Sequence, residues 1–384
     1  MKHLFWTLLF LIFYCYLGYP LLICLLSKFF SKPTRKSVIF PSVSIIIAAH
    51  NEEDVIKAKL DNLSQLDYPQ DKIEILIGSD ASTDKTNQII QNYPDGCLRV
   101  FIHSQRRGKM MTVNDLVGES KHEIIFFNDA RQLIEDVALK NLVKNFTDPS
   151  VGCVSGELLF VKTEGGTAQG VNFYWEYEKF IRNHEAQIHS MLGATGAIYA
   201  IRRSLYVPAP ANVILDDMFT PFKIIAQGYR AIFDPTAHAF DSAASSASEE
   251  YRRKARTLYG NYQIFSLFPG LFNPMESPIA IQLFSHKFLR LIVPFLLALL
   301  FLINLSLISE SIYKLFFAFQ LIFYAAAAIG ALARRKKLSI FKPIMKACYV
   351  PYVFCLLNFA ALAGFYRFMG AKQDITWKKA RTQS

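Results

Sequence analysis

Four stretches of this 384-residue chain carry no charged side chain: Leu4 to Leu26, Leu291 to Ile308, Leu315 to Ala333 and Ala347 to Tyr366. Each is about 18 residues or longer, enough for an α-helix to cross a hydrocarbon core of about 30 Å. A single run of this kind fits a signal peptide or a buried core helix. Four of them point to a membrane-embedded chain. Lys28 and Lys32 follow the first run, which has no small-residue cleavage site, so residues 1–28 are expected to stay as an anchor.

The formal net charge is +11, and much of it lies beside the apolar runs. Lys28, Lys32, Arg35 and Lys36 follow the first, and Arg334, Arg335, Lys336 and Lys337 follow the third. Basic residues flanking membrane helices mark the cytoplasmic side. They account for the positive charge without nucleic acid. They also place the long polar middle, Pro41 to Tyr262, in the cytoplasm, in a multi-pass protein of the cytoplasmic membrane. The expected order is an anchor (1–28), a cytoplasmic domain (41–262) and an interfacial segment (263–290). About three membrane helices (291–366) and a basic tail (367–384) follow. Four spans put the tail on the side of the N-terminus, outside, whereas Lys372, Lys378, Lys379 and Arg381 favour the inside. Either the last run is re-entrant or the tail charges tolerate export. Cys15, Cys24, Cys348 and Cys355 lie in the apolar runs, and Cys97 and Cys153 stand apart. No spacing resembles a zinc site or a disulfide framework, so all six read as core fillers.

The middle region alternates strand and helix patterns. "SVSIIIAAH", "IEILIGSD", "CLRVFIH" and "EIIFFND" read as four strands. Helices are expected from Glu52 to Leu66, from near Thr83, and from Gly108 to Val117. Unbroken Ile/Val/Leu/Phe strands separated by helices imply a parallel α/β sheet covered on both faces. Such sheets bind ligands beyond the carboxyl ends of their strands, which puts Asn51, Asp80, His103 and Asp129 on one rim. After Val151 the pattern is less regular. Long helices (171–191, 217–227, 249–267) surround one short strand, "GAIYAIRR".

Several short stretches carry chemistry, each beside an ordinary structural reading. In "GSDASTDKT", Ser82 or Thr83 caps the next helix, and Asp80 accepts from a base or ribose or simply closes a turn. In "RRGKMMTVN", Arg106, Arg107 and Lys109 before a helix N-terminus suit a diphosphate, or form a solvated basic turn. In "NDAR", Asp129 holds Mg²⁺ or Mn²⁺ if substrate phosphates and water complete the shell. Arg131 then contacts phosphate or pairs with Glu135, and the pairing is expected. Asp216 and Asp217 open a helix. They serve its dipole, or crowd each other so that one becomes a general base. In "SEEYRRKARTLYG", Arg252 and Arg256 share a helix face with Arg253 beside them, as a membrane-surface helix or a clamp on a departing diphosphate.

Taken in order, "IIIAAHNEE", "SDASTD", "RRGK…N", "NDA", "GATGAIYAIRR", "DD…GYR" and "RRKAR" resemble the processive, membrane-integrated family 2 glycosyltransferases. That group includes cellulose, hyaluronan and poly-N-acetylglucosamine synthases. The resemblance covers about Ser42 to Tyr262 and extends to the flanking membrane runs. It implies a GT-A fold, a Rossmann-like mixed sheet with helices on both faces, joined to transmembrane α-helices. It also implies a nucleotide-diphosphate sugar donor, with UDP as the nucleotide by analogy. Glu52 and Asp80 would bind base and ribose, Lys109 would lie near the diphosphate, and Asp129 would hold the metal. Asp217, beside Asp216, would deprotonate the acceptor hydroxyl with inversion. Gly193, Ala194, Thr195 and Gly196 would line the acceptor pocket. Arg253 and Arg256 would sit in the family's Q-x-x-R-W segment, at the donor.

Three departures qualify the likeness. Arg131 replaces the second acid of D-x-D, Asp216 replaces Glu, and Arg253 and Thr257 replace the Gln and Trp of Q-x-x-R-W. The missing Trp weakens long-chain extrusion more than sugar transfer. The expected function is inverting transfer to a glycan or lipid-linked acceptor, for cell-surface polysaccharide or glycolipid. The alternatives are single addition to a lipid carrier, or an inactive nucleotide-binding scaffold. No G-x-G-x-x-G follows the first strand, against a dinucleotide enzyme. The nearly uncharged spans argue against a transporter.

Overall fold

A computed structural model of the protein describes residues 1–94, 96–161, 168–242, 247–335 and 342–370. Lys336, Lys337, most of the Ala/Ser stretch after Ser242 and the tail from residue 371 lie outside these residues.

Four parallel strands form the first half of the sheet: β1 Val43–Ala49, β2 Ile73–Asp80, β3 Leu98–His103 and β4 Ile124–Phe127. Successive side chains point to opposite faces, so an all-apolar strand must be covered on both. Ile46, Leu76 and Phe127 enter one core and Ile45, Ile47 and Phe126 the other. Burying each such side chain contributes roughly 1.5–3 kcal/mol. Helices α3 Ile56–Ser64, α4 Thr86–Gln91, α5 Lys109–Glu119 and α6 Ala138–Val143 follow the strands. The first helix starts four residues after Glu52, and the second three after Thr83. At α4, Asp84 rather than Ser82 or Thr83 accepts from the Thr86 amide, at 3.0 Å.

The rest of the sheet is more extensive than its sequence pattern. Strand order is β3-β2-β1-β4-β7-β6-β8-β5, with β5 Leu133–Ile134, β6 Val151–Val161, β7 Tyr199–Arg202 and β8 Arg230–Ser242. β7 runs antiparallel to β4 and β6, while β6 and β8 are parallel. The sheet is therefore mixed, as the resemblance implied, and not wholly parallel. Gly152 and Gly156 interrupt the apolar run of β6. A Cβ at Gly156 would lie 2.5 Å from the Ala237 carbonyl oxygen, so the chains meet only because none is there. Pro235 interrupts β8, and the register slips between Ser155 and Glu157, whose partners are Phe233 and His238. Between β6 and β7 lies α7 Ala168–Ile188, after β7 comes α8 Asp216–Ala226, and after β8 comes α9 Ala247–Leu267.

Among the described residues four helices are long and apolar enough to cross a membrane: Lys2–Phe30, Ala280–Ser306, Ser311–Ala333 and Ala347–Met369. The first comprises α1 Lys2–Phe13 and α2 Tyr19–Phe30 around a π-helical turn, Tyr14–Gly18. The second comprises α10 Ala280–Gln282 and α11 Leu289–Ser306 around another, Leu283–Phe288. The third and fourth belong to α12 Ser311–Arg335 and α13 Lys342–Met369. α9 continues to Leu267 and the next helix starts at Ala280, with Pro269, Pro274 and Pro278 breaking the chain between them. Phe29, Leu302, Ile322 and Phe359 are left exposed on the spans, as lipid-facing side chains are.

The spans are fastened to the α/β domain. α13 lies along α9, where Gly364 lets the backbones meet; a Cβ there would be 2.9 Å from the Tyr259 amide nitrogen. α2 packs on α7, and buried Glu185 accepts from the Tyr19 hydroxyl at 2.7 Å. His286 sits between two acids of α7, with Nδ1 2.9 Å from Glu185 and Nε2 3.3 Å from Glu178. Arg290 and Lys287 also pair with Glu178.

Candidate functional site

The carboxyl ends of β1, β2 and β4 open on one rim. Beyond β1 stands His50, whose Nδ1 is 2.7 Å from the Asp80 carbonyl oxygen. Asn51 and Ala81, each with φ of +54°, turn the chain sharply there. Asn51 Oδ1 accepts from the Thr83 amide at 2.8 Å, and its own amide donates to Ser82. These bonds lock the β1 and β2 turns together.

Asp80 is fully buried. Its carboxylate accepts from the Arg107 amide at 2.7 Å and the Gly108 amide at 2.9 Å. The helix N-terminus expected to receive a diphosphate thus holds an internal anion. Gly108, at φ +89°, makes the turn that glycine favours. Arg107 itself pairs with Asp115.

Lys109, the first residue of α5, reaches into the rim. Its Nζ lies 2.9 Å from Asp129 Oδ1 and 3.0 Å from Asp216 Oδ2. Burial alone would lower this amine, but the two carboxylates outweigh it and hold it as ammonium, with its pKa raised. Asp129 is carried just past β4 and Asp216 starts α8, so three elements converge on one cation. Asp217 follows, and burial, reinforced by the neighbouring charge of Asp216, pushes its carboxyl up to about 7.

The "GATG" loop closes over Asp217. The Ala194 amide donates to the Asp217 carbonyl oxygen at 2.6 Å, and a Cβ on Gly196 would stand 3.5 Å from Asp217 Oδ2. Gly193, at φ +132°, faces Met218. The Thr195 amide donates to Ser155 Oγ at 2.8 Å, and its hydroxyl accepts from Arg182 Nη1 at 2.7 Å.

Arg131 does not pair with Glu135. Its Nε donates to both oxygens of Glu52, at 3.0 Å each, and Glu135 instead meets His238 Nδ1 at 2.9 Å. Glu52 is buried beneath the rim, where a guanidinium satisfies it better than Glu135, on the half-exposed surface, could satisfy Arg131. The structure therefore gathers Lys109, Asp129, Asp216, Asp217 and residues 193–196 in one place, with Glu52 and Arg131 as a separate pair. Arg253 is exposed and Arg256 half-buried on α9, and neither is a partner of Lys109.

Two further cations emerge. Lys59 is fully buried on α3 and donates to the Gln132 carbonyl oxygen at 2.6 Å, behind the loop that carries Asp129. Burial pushes it down to about 7, against the pull of Asp129. The signal was present, because Ile56, Lys59, Leu60 and Leu63 form the helix's buried face. Arg182 lies on α7 with Glu178 and Glu185, a charge spacing that reads from sequence as a solvated face.

Known proteins share the sequence pattern of the domain and its fold. Residues 44–207 match Glycosyl transferase family 2. The chain is 25% identical over 264 residues to a probable glycosyltransferase, YdaM, of Bacillus subtilis, spanning 65% of this chain and 62% of that protein. It is 22% identical over 254 residues to the poly-beta-1,6-N-acetyl-D-glucosamine synthase of Staphylococcus aureus, spanning 64% and 60%. The chain thus spans a little under two thirds of the length of these relatives. Its fold is that of the mannosyltransferase PcManGT of Pyrobaculum calidifontis, solved in complex with GDP-Man and Mn²⁺. The TM-score is 0.72 at 24% identity, covering 96% of this chain and 100% of that one. The architecture is a GT-A-like mixed sheet with candidate membrane helices. Residues 44–207 thus carry a glycosyl transferase family 2 domain.

Proposed function

We propose that the protein is an inverting glycosyltransferase of the cytoplasmic membrane face. It moves a sugar from a nucleotide-diphosphate sugar to a glycan or lipid-linked acceptor, for cell-surface polysaccharide or glycolipid. One observation carries the reading: Lys109 draws Asp129 and Asp216 together beside Asp217, over which the small-residue loop 193–196 closes. In this reading residues 41–262 are catalytic, and the four apolar helices hold them at the bilayer.

The donor's nucleotide rests on the rim formed by Glu52 and Asp80. Asp80 acts by fixing the loop before α5, since its oxygens are committed to the amides at 107 and 108. Arg131, tethered by Glu52, adds positive charge next to the diphosphate, and Arg253 and Arg256 approach it from α9. The Asp129–Asp216 pair suits a cation, because an ammonium already lies between its oxygens. Among the described residues no group of three or more His, Cys, Asp or Glu could hold a metal ion, so phosphate oxygens and water would complete the shell. Mg²⁺ or Mn²⁺, when bound there, neutralises charge on the departing diphosphate.

The acceptor lies along residues 193–196, where the small side chains give a sugar access to Asp217. Asp217 takes the proton of the acceptor hydroxyl as that oxygen bonds to the anomeric carbon. The bond to the diphosphate breaks on the opposite face, and its electron pair leaves with the nucleoside diphosphate. A base near 7 is ionised enough to act and basic enough to accept the proton. Thr257 favours single addition over processive extension: its hydroxyl is turned back onto the Arg253 carbonyl oxygen, where the family presents a stacking ring.

The test is release of nucleoside diphosphate by the purified chain in detergent, from a panel of UDP- and GDP-sugars with Mn²⁺, Mg²⁺ or chelator. Release from one donor, lost in Asp217→Asn, is expected. One sugar per lipid or a ladder of products then distinguishes single addition from processive synthesis. Absence of release from every donor, with and without added lipid acceptor, would overturn the reading.

A further inference from the structure

Lys59, Arg131 and Lys109 surround the loop that carries Asp129, and they differ in freedom. Lys59 is fully buried with its amine on a backbone carbonyl. Arg131 is held through Nε by both oxygens of Glu52. Lys109 is different. Its backbone is fixed, because the two residues before it are tied by their amides to Asp80. Its side chain is partly open to solvent (29% exposed) and ends between two carboxylates, Asp129, which is open at 38%, and Asp216, which is nearly buried at 12%. It is a movable charge on a fixed pivot.

We propose that the Lys109 ammonium is a resident counter-ion. It occupies the Asp129–Asp216 pair in the donor-free protein and yields that place to a divalent cation only when a nucleoside diphosphate draws it away. The inference rests on the donor-site reading above. The ammonium lies 2.9 and 3.0 Å from its two carboxylates. A divalent ion ligated by the same oxygens would need their approach at about 2.0–2.2 Å, for which there is no room alongside Nζ. Two positive charges at one point would also repel. A diphosphate resolves the conflict. It offers lysine a stronger point-charge partner and brings coordinating oxygens of its own. Metal and nucleotide binding are then linked, and each strengthens the other by the same factor. The exchange keeps a bare metal from settling beside Asp217 before a donor arrives.

The experiment measures free Mn²⁺ by electron paramagnetic resonance against the full chain in detergent, alone, with UDP and with GDP. In the wild type, Mn²⁺ binds weakly alone, and one nucleotide tightens it roughly 5–150-fold. In Lys109→Met, Mn²⁺ binds without nucleotide several-fold more tightly than in the wild type, and the added effect of nucleotide shrinks to what phosphate ligation alone supplies. Lys109→Gln serves the same purpose if the Met variant does not elute as the wild type does. Adding Asp129→Asn to either should abolish the nucleotide-independent binding, which places the ion at the carboxylate pair. Equal Mn²⁺ affinity of wild type and variant without nucleotide would overturn the proposal, as would undiminished nucleotide coupling in the variant. If the wild type binds neither UDP nor GDP, the donor-site reading itself fails, a result separable from both.

Discussion

Asp217→Asn should stabilise the protein as it disables it. An aspartate ionises near 3.8 in an unfolded chain, whereas this one is pushed up to about 7 by burial and by Asp216. Below 3.8 the carboxyl is neutral in both states and costs nothing. Between 3.8 and 7 the unfolded chain is ionised and the folded site is not, so stability falls as pH rises, and above 7 the full cost persists. The gap corresponds to roughly 4 kcal/mol at 1.36 kcal/mol per pH unit. Partial solvent access to the open rim reduces the expected gain to about 2 kcal/mol. The amide keeps the shape and removes the charge. Thermal unfolding of both proteins in the same detergent should therefore coincide near pH 4 and diverge by several degrees at pH 8, with the variant higher. Transferase activity of the wild type should fall as pH drops through about 7, while the variant stays about 10²–10⁴-fold below the wild type's activity at pH 8 and shows no such titration. Parallel unfolding curves across that range would refute the assignment of a buried, crowded carboxylate.

Arg131→Ala should destabilise by about 3–5 kcal/mol, because it strips a buried carboxylate of its guanidinium. A double-mutant cycle with Glu52→Gln should return a coupling of at least about 1 kcal/mol, and additivity would mean the pair is incidental. Gly193→Ala places a side chain at φ +132° with its Cβ 2.9 Å from Met218 Cγ. The cost should be about 1–3 kcal/mol, with reduced turnover because the loop against Asp217 shifts; unfolding and rate measurements check both. Gly364→Leu drives a side chain into the α9 backbone, and a loss of about 1–3 kcal/mol is expected in detergent unfolding. An unchanged melting temperature would show that α13 docks elsewhere.

The strands that were legible, β1 to β4 and β7, are those with compact apolar runs between turn signals. β6 and β8 were hidden by the residues that make them fit, Gly152, Gly156 and Pro235, which read locally as breakers. At the site, strand-end and helix-start positions marked Asp129, Lys109, Asp216 and Asp217, since such places converge in any sheet of this kind. Partners were harder to read. Helix-face spacing offered Arg131 a neighbour at Glu135, but its partner lies 79 residues away in sequence, across the rim. Lys59 was overlooked although its spacing put it inside. Only tertiary packing could show that Arg182 and the acids of α7 face inward.

The acids of α7 also constrain how the protein is made. Glu185 is bonded to Tyr19, 166 residues earlier, and to His286, 101 residues later. Glu178 waits for Arg290, 112 residues later. A nascent chain that has not delivered the second span therefore carries Glu178 without Arg290, and Glu185 with Tyr19 but without His286, in a helix that must pack against the first span. Synthesis has to pass residue 290 before α7 can settle, so the membrane helices are late but obligatory folding partners of the α/β domain. A fragment cut at 262 to obtain a soluble enzyme would be arrested at that unfinished stage.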